Sequence, residues 1–194
     1  MPMETRAGRV LGKCGSGNEY TSWDGVVKAR FGPYIVRSGK SLARSQWLIS
    51  AAYWKQGYTS NHILTGNDVV IDAELYGSVV GTVLVKLDGA RGLSADESYS
   101  AELDLLRNQG RKLAELSRFA VLPGQRTRSV MGAMFHCVYY TTRLLNGTTD
   151  LVCEVVPRHV AAQQRLLGFR QIAGPKPCTR VGVSEAVLLH RELS

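Results

Sequence analysis

The fold is decided by residues 112–167, which read KLAELSRFAVLPGQRTRSVMGAMFHCVYYTTRLLNGTTDLVCEVVPRHVAAQQRLL. The first ten residues alternate like a strand, and this pattern stops at Pro123-Gly124. Arg128–Leu145 carries apolar residues at helical spacing, which predicts an amphipathic helix. Leu151–Val156 is a nearly continuous apolar run, so it indicates a strand buried on both faces, and a second helix follows over 157–167. A strand–helix–strand–helix unit of this kind predicts a right-handed, largely parallel crossover.

The chain before this unit contains further elements. Ser41–Tyr53 has the spacing of a helix, with Ser41 as its N-cap. The runs Val69–Leu75 and Val79–Leu87 flank a short glycine-containing turn and predict a β-hairpin. Ala101–Arg111 predicts a short helix.

The chain ends are simpler. Phe169–Ala173 and Glu185–Glu192 predict two final strands, and residues 1–18, rich in glycine and charge, are expected to be flexible. No repeat or linker divides the chain, so residues 1–194 are expected to form one domain. The element order predicts an α/β fold with a mixed sheet of about six to seven strands, flanked by helices on both faces.

Composition narrows the class of protein. Apolar residues make up 44% of the chain and charged residues 21%, which is typical of a soluble globular protein. No apolar run approaches the roughly 18–20 residues needed to span a bilayer, and no secretory signal is visible, so a cytoplasmic protein is expected. The four cysteines and four histidines are scattered, which favours neither a metal site nor a disulfide framework.

The formal net charge of +8 raises the question of an anionic partner. Nucleic acid is not expected, because the chain contains no recognisable nucleic-acid-binding motif. An acidic protein or a phosphate-bearing substrate remains open, as does a basic surface without a dedicated partner.

One segment resembles a known group of enzymes. Glu115–Val121, ELSRFAV, is similar to the central strand of the acyl-homoserine-lactone synthases, which carry a Glu-x-Ser-Arg segment there. Val80–Val83 and Leu166–Phe169 resemble other parts of that group, and the likeness extends over about residues 40–173. It implies the GNAT acyltransferase fold. Within this group, the chain most resembles the long-chain N-acyl amino acid synthases recovered from soil-bacterial DNA.

The resemblance implies an activity. Those synthases take a long fatty acyl group from acyl carrier protein and join it to the amine of an amino acid, which is tyrosine in the best-known case. Three alternatives remain open: a lactone synthase using S-adenosylmethionine, an acetyl-coenzyme A-dependent acetyltransferase, and a non-catalytic module that binds acyl chains. The lactone synthases carry an arginine in a hairpin strand where this chain has Val83-Leu84-Val85, which argues against the first alternative.

The resemblance also implies where the donor lies. In the GNAT fold the fourth strand splays from the fifth, and pantetheine lies in the gap, which would set Phe119, Ala120 and Val121 beside the thioester arm. Coenzyme A-dependent members hold pyrophosphate on a glycine-rich loop, but here Arg128 and Val130 occupy the glycine positions. This favours the acyl-phosphopantetheine of acyl carrier protein as the donor, with no cofactor bound.

Two arginines follow the central strand. Arg126 and Arg128 would contact the phosphate of phosphopantetheine or the acidic carrier protein, although they are also compatible with ordinary solvated residues of a first helical turn.

The predicted catalytic residues are Glu115 and Ser117. Strand alternation is expected to set Glu115, Ser117 and Phe119 on one face, with Leu116 and Arg118 on the other. A carboxylate in a central strand is costly unless it is paired or functional, so Glu115 would orient or deprotonate the attacking amine. The alternative is that Glu115 forms an ion pair, for example with Arg118, and only braces the sheet.

The acceptor needs its own contacts. Glu154 is a second candidate for the amine site, unless it pairs with Arg158. The carboxylate of the amino acid requires a cation, which Arg118 or Arg44 would supply.

The acyl chain requires an apolar slot. The candidates from the long helix are Met134, Phe135 and Val138, each of which also suits a plain core position. An aromatic group near the first helix is expected to pack on the sheet rather than to form a lid over an aromatic acceptor; it comprises Trp47, Tyr53, Trp54 and Tyr58.

Overall fold

The computed structural model describes residues 9–14, 18–23, 26–58, 64–125, 127–178 and 183–194. The strands in these ranges are β1 (Arg9–Cys14), β2 (Asn18–Trp23), β3 (Val26–Phe31), β4 (Tyr34–Gly39), β5 (Asp68–Leu75), β6 (Ser78–Leu87), β7 (Leu113–Val121), β8 (Asp150–Val155), β9 (Arg170–Cys178) and β10 (Val183–Glu192). The α-helices are α1 (Gln46–Trp54), α2 (Asp96–Asn108), α3 (Thr127–Tyr139) and α4 (Val160–Leu167). A π-helical turn, Tyr140–Leu145, extends α3, and a 3₁₀ turn, Pro157–His159, precedes α4.

The strands form one mixed sheet in the order β1-β2-β3-β4-β5-β6-β7-β8-β10-β9. Neighbouring strands are antiparallel except β7 and β8, which run parallel because α3 carries the chain back between them. The predicted α/β class and the central crossover unit are confirmed. The described part of the chain contributes ten strands rather than about six or seven, because the N-terminal region adds strands that the sequence pattern did not predict.

The N-terminal region contains strands that the sequence pattern did not predict. Residues 9–14, within the stretch 1–18 that is expected to be flexible, form β1, while residues 1–8 and 15–17 lie outside the described part of the chain. β1 to β4 form an antiparallel meander that joins the sheet where β4 pairs with β5. Side chains of β4 alternate between buried and half-buried, so this strand lies in the sheet with one face covered.

The predicted hairpin is confirmed as β5 and β6. Tyr76 and Gly77 connect the two strands with φ angles of 50° and 84°, the backbone that a tight two-residue hairpin turn requires. A bulge between Ala73 and Glu74 shifts the register before the turn.

Helices cover both faces of the sheet, as predicted. α3 and α4 bury one face through a core that includes Val130, Met134, Val138, Leu167 and the strand residues facing them. α1 packs on the opposite face against Val70, Leu84 and Ala120, and α2 packs there against Leu113, Val152 and Leu188. No helix in the described ranges is long and apolar enough to cross a membrane.

Helix boundaries differ from the sequence pattern at the caps. α1 begins at Gln46 rather than after Ser41, and the Ser41 hydroxyl instead accepts a hydrogen bond from the Ala43 backbone N–H in a preceding turn. α2 begins earlier than predicted, at Asp96, whose carboxylate accepts a hydrogen bond from the Leu93 backbone N–H at 2.6 Å.

Candidate active site

β7 and β8 begin as neighbours and then separate. Their parallel register covers Leu113–Glu115 against Asp150–Val152 and ends there. Just beyond, Arg118 and Phe119 together lie opposite Val83 of β6, which is a β-bulge, and Arg118 has a φ of 50°. A bulge bends the strand that carries it, so the second half of β7 diverges from β8.

A cavity of about 460 Å³ lies between the separated strands. Leu116–Val121 of β7 form one wall and Cys153–Val156 form another. The remaining lining comes from β6, from the end of α1 and the segment after it, from α3, and from the stretch from the turn before α4 to the residue before β9. It comprises Val83, Ala52, Tyr53, Gln56, Tyr58, Phe135, His159, Gln163, Leu167 and Phe169. The volume lies within the range of small-molecule sites.

The lining is mainly apolar and rich in aromatic rings. Phe119 and Phe135 pack with ring centroids 5.9 Å apart, and Tyr53 meets Tyr58 edge to face at 5.8 Å. A lining of this kind suits an alkyl chain or an aromatic ring, with a few polar groups left to orient the reacting atoms.

Several of the predicted site residues share this cavity. Its lining contains Ser117, Arg118, Phe119, Ala120, Val121, Phe135 and Glu154. The structure therefore brings the predicted catalytic serine together with predicted acyl-binding and acceptor-binding residues, and their individual roles stay predictions.

Glu115 does not line the cavity. Its buried carboxylate accepts hydrogen bonds from the backbone N–H groups of Ser94, at 2.5 Å, and Ala95, at 3.1 Å. These donors lie at the N-terminal end of α2, where the helix dipole favours a negative charge. The Glu115 carboxylate therefore connects β7 to the start of α2. The hypothesis that Glu115 acts on the amine is therefore not supported by its position, and the alternative of a bracing residue fits it better.

The predicted alternation along β7 is wrong beyond Ser117. Glu115 contacts α2 on one face, whereas Phe119 packs against Phe135 and the α3 core on the other. The extra residue of the bulge shifts the alternation, so Ala120 returns to the face that α1 covers, beside Leu48.

Arg44 is also placed away from the cavity. Its guanidinium donates to Glu74 at 2.5 Å, and Arg37 donates to the same carboxylate oxygen at 2.7 Å. Burial alone would raise the pKa of Glu74, but the hydrogen bonds and charges of Arg44 and Arg37 outweigh burial and lower it. The prediction that Arg44 binds the acceptor's carboxylate is thus not supported, because its charge is already paired within the sheet.

Two predicted acyl-binding residues are core residues. Met134 and Val138 are fully buried between α3 and the sheet and do not line the cavity. Gly81 explains the close packing here, since a Cβ added at this glycine would lie 2.6 Å from Val130 Cγ1 and 3.0 Å from Met134 Sδ. Of the three α3 candidates, only Phe135 lines the cavity.

The predicted phosphate-binding arginines lie at the start of α3. Arg128 is exposed in the first turn of this helix, where an anion would be favoured by the helix dipole. Arg126 lies outside the described residues, so its predicted role remains a prediction.

The aromatic group near α1 has more than one environment. Tyr53 packs on the sheet against Val70 and Leu84, as expected, and it also lines the cavity together with Tyr58, whereas Trp54 projects outward with 85% of its surface exposed. The sequence signal was present as helical spacing, since Tyr53 follows Ile49 by one helical turn on the side facing the sheet.

A side-chain bridge joins two walls of the cavity. Arg158 donates to Gln56 Oε1 and to the Tyr58 hydroxyl, each at 2.6 Å, and its guanidinium lies 5.6 Å from the centre of the Tyr58 ring. This contact ties the turn after β8 to the segment after α1, and it gives Arg158 a partner other than the predicted Glu154.

His159 follows Arg158 and lines the cavity. Partial burial lowers the pKa of its imidazole, and the Arg158 cation lowers it further, so the ring is neutral near pH 7. The sequence pattern gave no role to His159. Within the described ranges, no group of acidic, histidine and cysteine side chains is arranged to hold a metal ion.

Comparison with protein families gives one match. The model of the family described as N-acyl amino acid synthase FeeM matches residues 44–192, which is most of the chain and includes every wall of the cavity. Among curated proteins, the comparison of sequences finds no match.

Solved structures share the fold. The structure of FeeM, an N-acyl amino acid synthase from uncultured soil microbes, superposes with a TM-score of 0.71 at 23% identity, covering 82% of this chain and 89% of that one. The AHL synthase LasI matches with a TM-score of 0.53 at 21% identity over 83% of this chain and 90% of LasI. An N-acetyltransferase from Staphylococcus aureus Mu50 gives 0.58 at 10% identity, with coverages of 82% and 97%.

Proposed function

The chain belongs to the FeeM family of N-acyl amino acid synthases and is an acyltransferase, and from this premise we propose that it moves a long-chain fatty acyl group from acyl carrier protein to the amine of an amino acid, with tyrosine as the preferred acceptor. The observation that carries the proposal is the cavity between the diverging strands β7 and β8, which joins an apolar, aromatic lining to a short polar stretch.

The bulged half of β7 supports the donor's position. Its pairing with β8 ends at Glu115, so the following backbone faces the gap in which a thioester arm would lie. Backbone N–H groups on this edge would donate to the oxyanion that forms when the amine attacks the thioester carbonyl. Ser117 lies on the same wall and supplies a hydroxyl for the same charge or for the departing thiolate.

The acyl chain would run along the apolar lining. Phe119, Val121 and Phe135 offer the apolar surface, and burying each methylene contributes about 0.8 kcal/mol. A long chain therefore gains far more from this cavity than an acetyl group, which favours a fatty acyl donor over acetyl-coenzyme A.

The acceptor side is aromatic and charged. Tyr53 and Tyr58 present ring faces and edges that suit the ring of tyrosine, and Arg118 would bind the acceptor's carboxylate. The polar groups of the two tyrosines also allow a hydrogen bond to a phenolic hydroxyl.

The carrier-protein donor is supported by charge and by the loop before α3. The net charge of +8 and the exposed Arg128 favour an acidic partner at this helix start. Side chains at Arg128 and Val130, where coenzyme A-dependent relatives carry glycines, disfavour the close backbone approach that a pyrophosphate needs. Such a donor implies action in the cytoplasm.

The test is mass spectrometry of products formed by the purified protein. The protein is mixed with the twenty amino acids and either lauroyl-acyl carrier protein or lauroyl-coenzyme A. We expect N-lauroyl amino acid from the carrier-protein donor, with N-lauroyltyrosine as the main product. Efficient turnover from lauroyl-coenzyme A would overturn the donor assignment. A main product of another mass would identify a different amino acid as the preferred acceptor and overturn the assignment of tyrosine.

A charge reversal sharpens the donor test. Arg128→Glu should raise the KM for lauroyl-acyl carrier protein about tenfold through repulsion of the acidic partner. Arg30→Glu is the matched control, because Arg30 is also exposed but belongs to β3 rather than to the start of α3. Equal KM values for the two variants would contradict a docking role for Arg128.

A further inference from the structure

We propose that His159 is the general base of this acyltransferase, accepting the proton that the acceptor's amine must lose as it attacks the thioester. The inference rests on the proposed N-acylation and adds the residue that handles the proton. Among the histidines in the described residues, His159 is the one that lines the cavity.

The position of His159 follows from the divergence of the strands. β8 ends at Val155, and the chain turns immediately through Pro157–His159, where the His159 N–H donates to the Val156 carbonyl at 2.9 Å. The imidazole thus lies at the end of the β8 wall, in the cavity that Ser117 and Arg118 line from β7. A substrate amine bound between the strands can approach both walls.

The turn that carries His159 is held in place. Arg158 fastens it to Gln56 and Tyr58 through two hydrogen bonds and a contact with the Tyr58 ring. A fixed turn reduces the conformational freedom of the neighbouring imidazole, which a proton acceptor needs for a defined approach to the amine.

The charge state of the ring suits proton acceptance. Partial burial and the neighbouring Arg158 cation lower the pKa of His159, so the base form predominates at neutral pH. Other charged or titratable groups share the cavity: Arg118 from β7, Cys153 and Glu154 from β8, and Tyr53 and Tyr58 from the end of α1 and the segment after it. Of these, Cys153 is excluded as a base because burial and the charge of Glu115 raise the pKa of its thiol, so it stays protonated.

Glu154 is the competing base. Imidazole is intrinsically the stronger base of the two side-chain types, and its ordinary pKa lies closer to neutral pH, which makes it the more efficient acceptor for an amine proton. A histidine base and a glutamate base predict different dependences of the acylation rate on pH.

The proton balance closes without another reactant. The bound ammonium gives one proton to His159, and the neutral amine then forms a C–N bond to the thioester carbonyl carbon. When the C–S bond breaks, the nitrogen loses its second proton and the thiolate takes up a proton, both exchanges passing through the imidazole. The products are the amide, the free thiol and one proton released to solvent, and His159 returns to its neutral form.

The experiment measures kcat for N-acyl amino acid formation with saturating lauroyl-acyl carrier protein and amino acid between pH 6 and 10. His159→Gln should lower kcat at pH 7 by about 10²- to 10⁴-fold, the usual contribution of a general base, with little change in KM. The deficit should shrink as pH rises, because solution then supplies the neutral amine. Added imidazole should partly restore His159→Ala.

Matched variants distinguish a loss of proton transfer from a structural effect of the substitution. His136→Gln is the control, since His136 is also a histidine of lowered pKa but contacts the Phe31 ring and does not line the cavity. It should keep wild-type kcat. A His159→Gln variant with unchanged kcat, or a Glu154→Gln variant that alone abolishes the rise of rate with pH, would overturn the proposal. A wild-type protein that makes no N-acyl amino acid at all would instead refute the proposed function.

Discussion

The two halves of β7 differ in what surrounds them. Leu113–Glu115 pair with β6 on one side and β8 on the other, and Glu115 binds the start of α2. Leu116–Val121 contain the bulge, lose the pairing with β8 and form one wall of the cavity. One strand therefore contributes its first half to the scaffold and its second half to the candidate site.

In this strand, the chemical reactivity of a residue type does not predict whether the residue lies in the cavity wall. The carboxylate of Glu115 is the most reactive-looking group of the strand, yet it lies in the scaffold half and satisfies backbone donors. The site half is made of aromatic and small residues around Ser117 and Arg118, so its function depends on the shape of the gap as much as on any single group.

The largest expected effect tests the scaffold half. Glu115→Ala removes the acceptor for one buried and one partly buried N–H group and should lower the free energy of unfolding by about 3–4 kcal/mol, measured by urea denaturation. Glu185→Ala, at an exposed position of β10, should change it by less than about 0.5 kcal/mol.

A milder substitution separates stability from catalysis. Glu115→Gln keeps the shape of the side chain and one acceptor oxygen, so the folded fraction should retain kcat within about threefold, whereas loss of a general base costs about 10²-fold or more. A stable Glu115→Gln variant with a hundredfold lower kcat would show that Glu115 takes part in catalysis. It would contradict the assignment of the first half of β7 to the scaffold.

The next effect tests the site half. Phe119→Ala should lower kcat/KM for a lauroyl donor about 10- to 100-fold, because about 1.5–3 kcal/mol of apolar burial is lost and tenfold corresponds to about 1.4 kcal/mol. A butyryl donor should be much less affected. Leu105→Ala, 64% exposed on α2, serves as the control and should leave both donors unchanged. Equal losses for both chain lengths would contradict an acyl-binding role.

The smallest expected effect concerns acid and the start of α2. Burial alone would raise the pKa of Asp96, but hydrogen bonds from Arg107 and the Leu93 N–H outweigh it and lower the pKa. A folded-state pKa below the unfolded value means that the stabilisation is complete above about pH 4 and is lost as pH falls through the folded-state pKa. Urea midpoints measured from pH 7 to pH 2.5 should therefore fall less steeply for Asp96→Asn than for wild type.

The difference between the two curves isolates Asp96. Burial raises the pKa of Asp72, despite a hydrogen bond from Thr82, so this group changes stability with the opposite sign and the wild-type curve mixes both effects. Parallel curves for wild type and Asp96→Asn would contradict the role of the Arg107 contact.

Sequence pattern predicted the central unit well because its signals are local. The apolar spacing of α3, the hairpin turn at Tyr76-Gly77 and the start of the final helical segment at Pro157 each depend on neighbouring residues. β1 and β2 carry no comparable alternation of apolar residues, and their pairing with each other and with β3 is a contact that local patterns do not report.

The candidate site was predictable only where resemblance supplied the geometry. The splayed strand implied a role for Phe119, Ala120 and Val121, and these residues line the cavity. The position of Glu115 beneath α2, the ion pair of Arg44 with Glu74 and the bridge from Arg158 to Tyr58 depend on tertiary contacts between distant segments. No spacing within one element reports such contacts.

The bulge at Arg118 and Phe119 has a consequence for how this protein can be re-engineered. Because side chains of a strand alternate, a regular strand with the same residues would turn Phe119 from the α3 side toward α1, and the extra residue of the bulge keeps it on the α3 side. The side chains that form the β7 wall of the cavity thus depend on the number of residues in this strand as well as on their identity. Libraries that vary one-residue insertions and deletions between Ser117 and Ala120 can sample lining combinations that no set of point substitutions in this strand reaches.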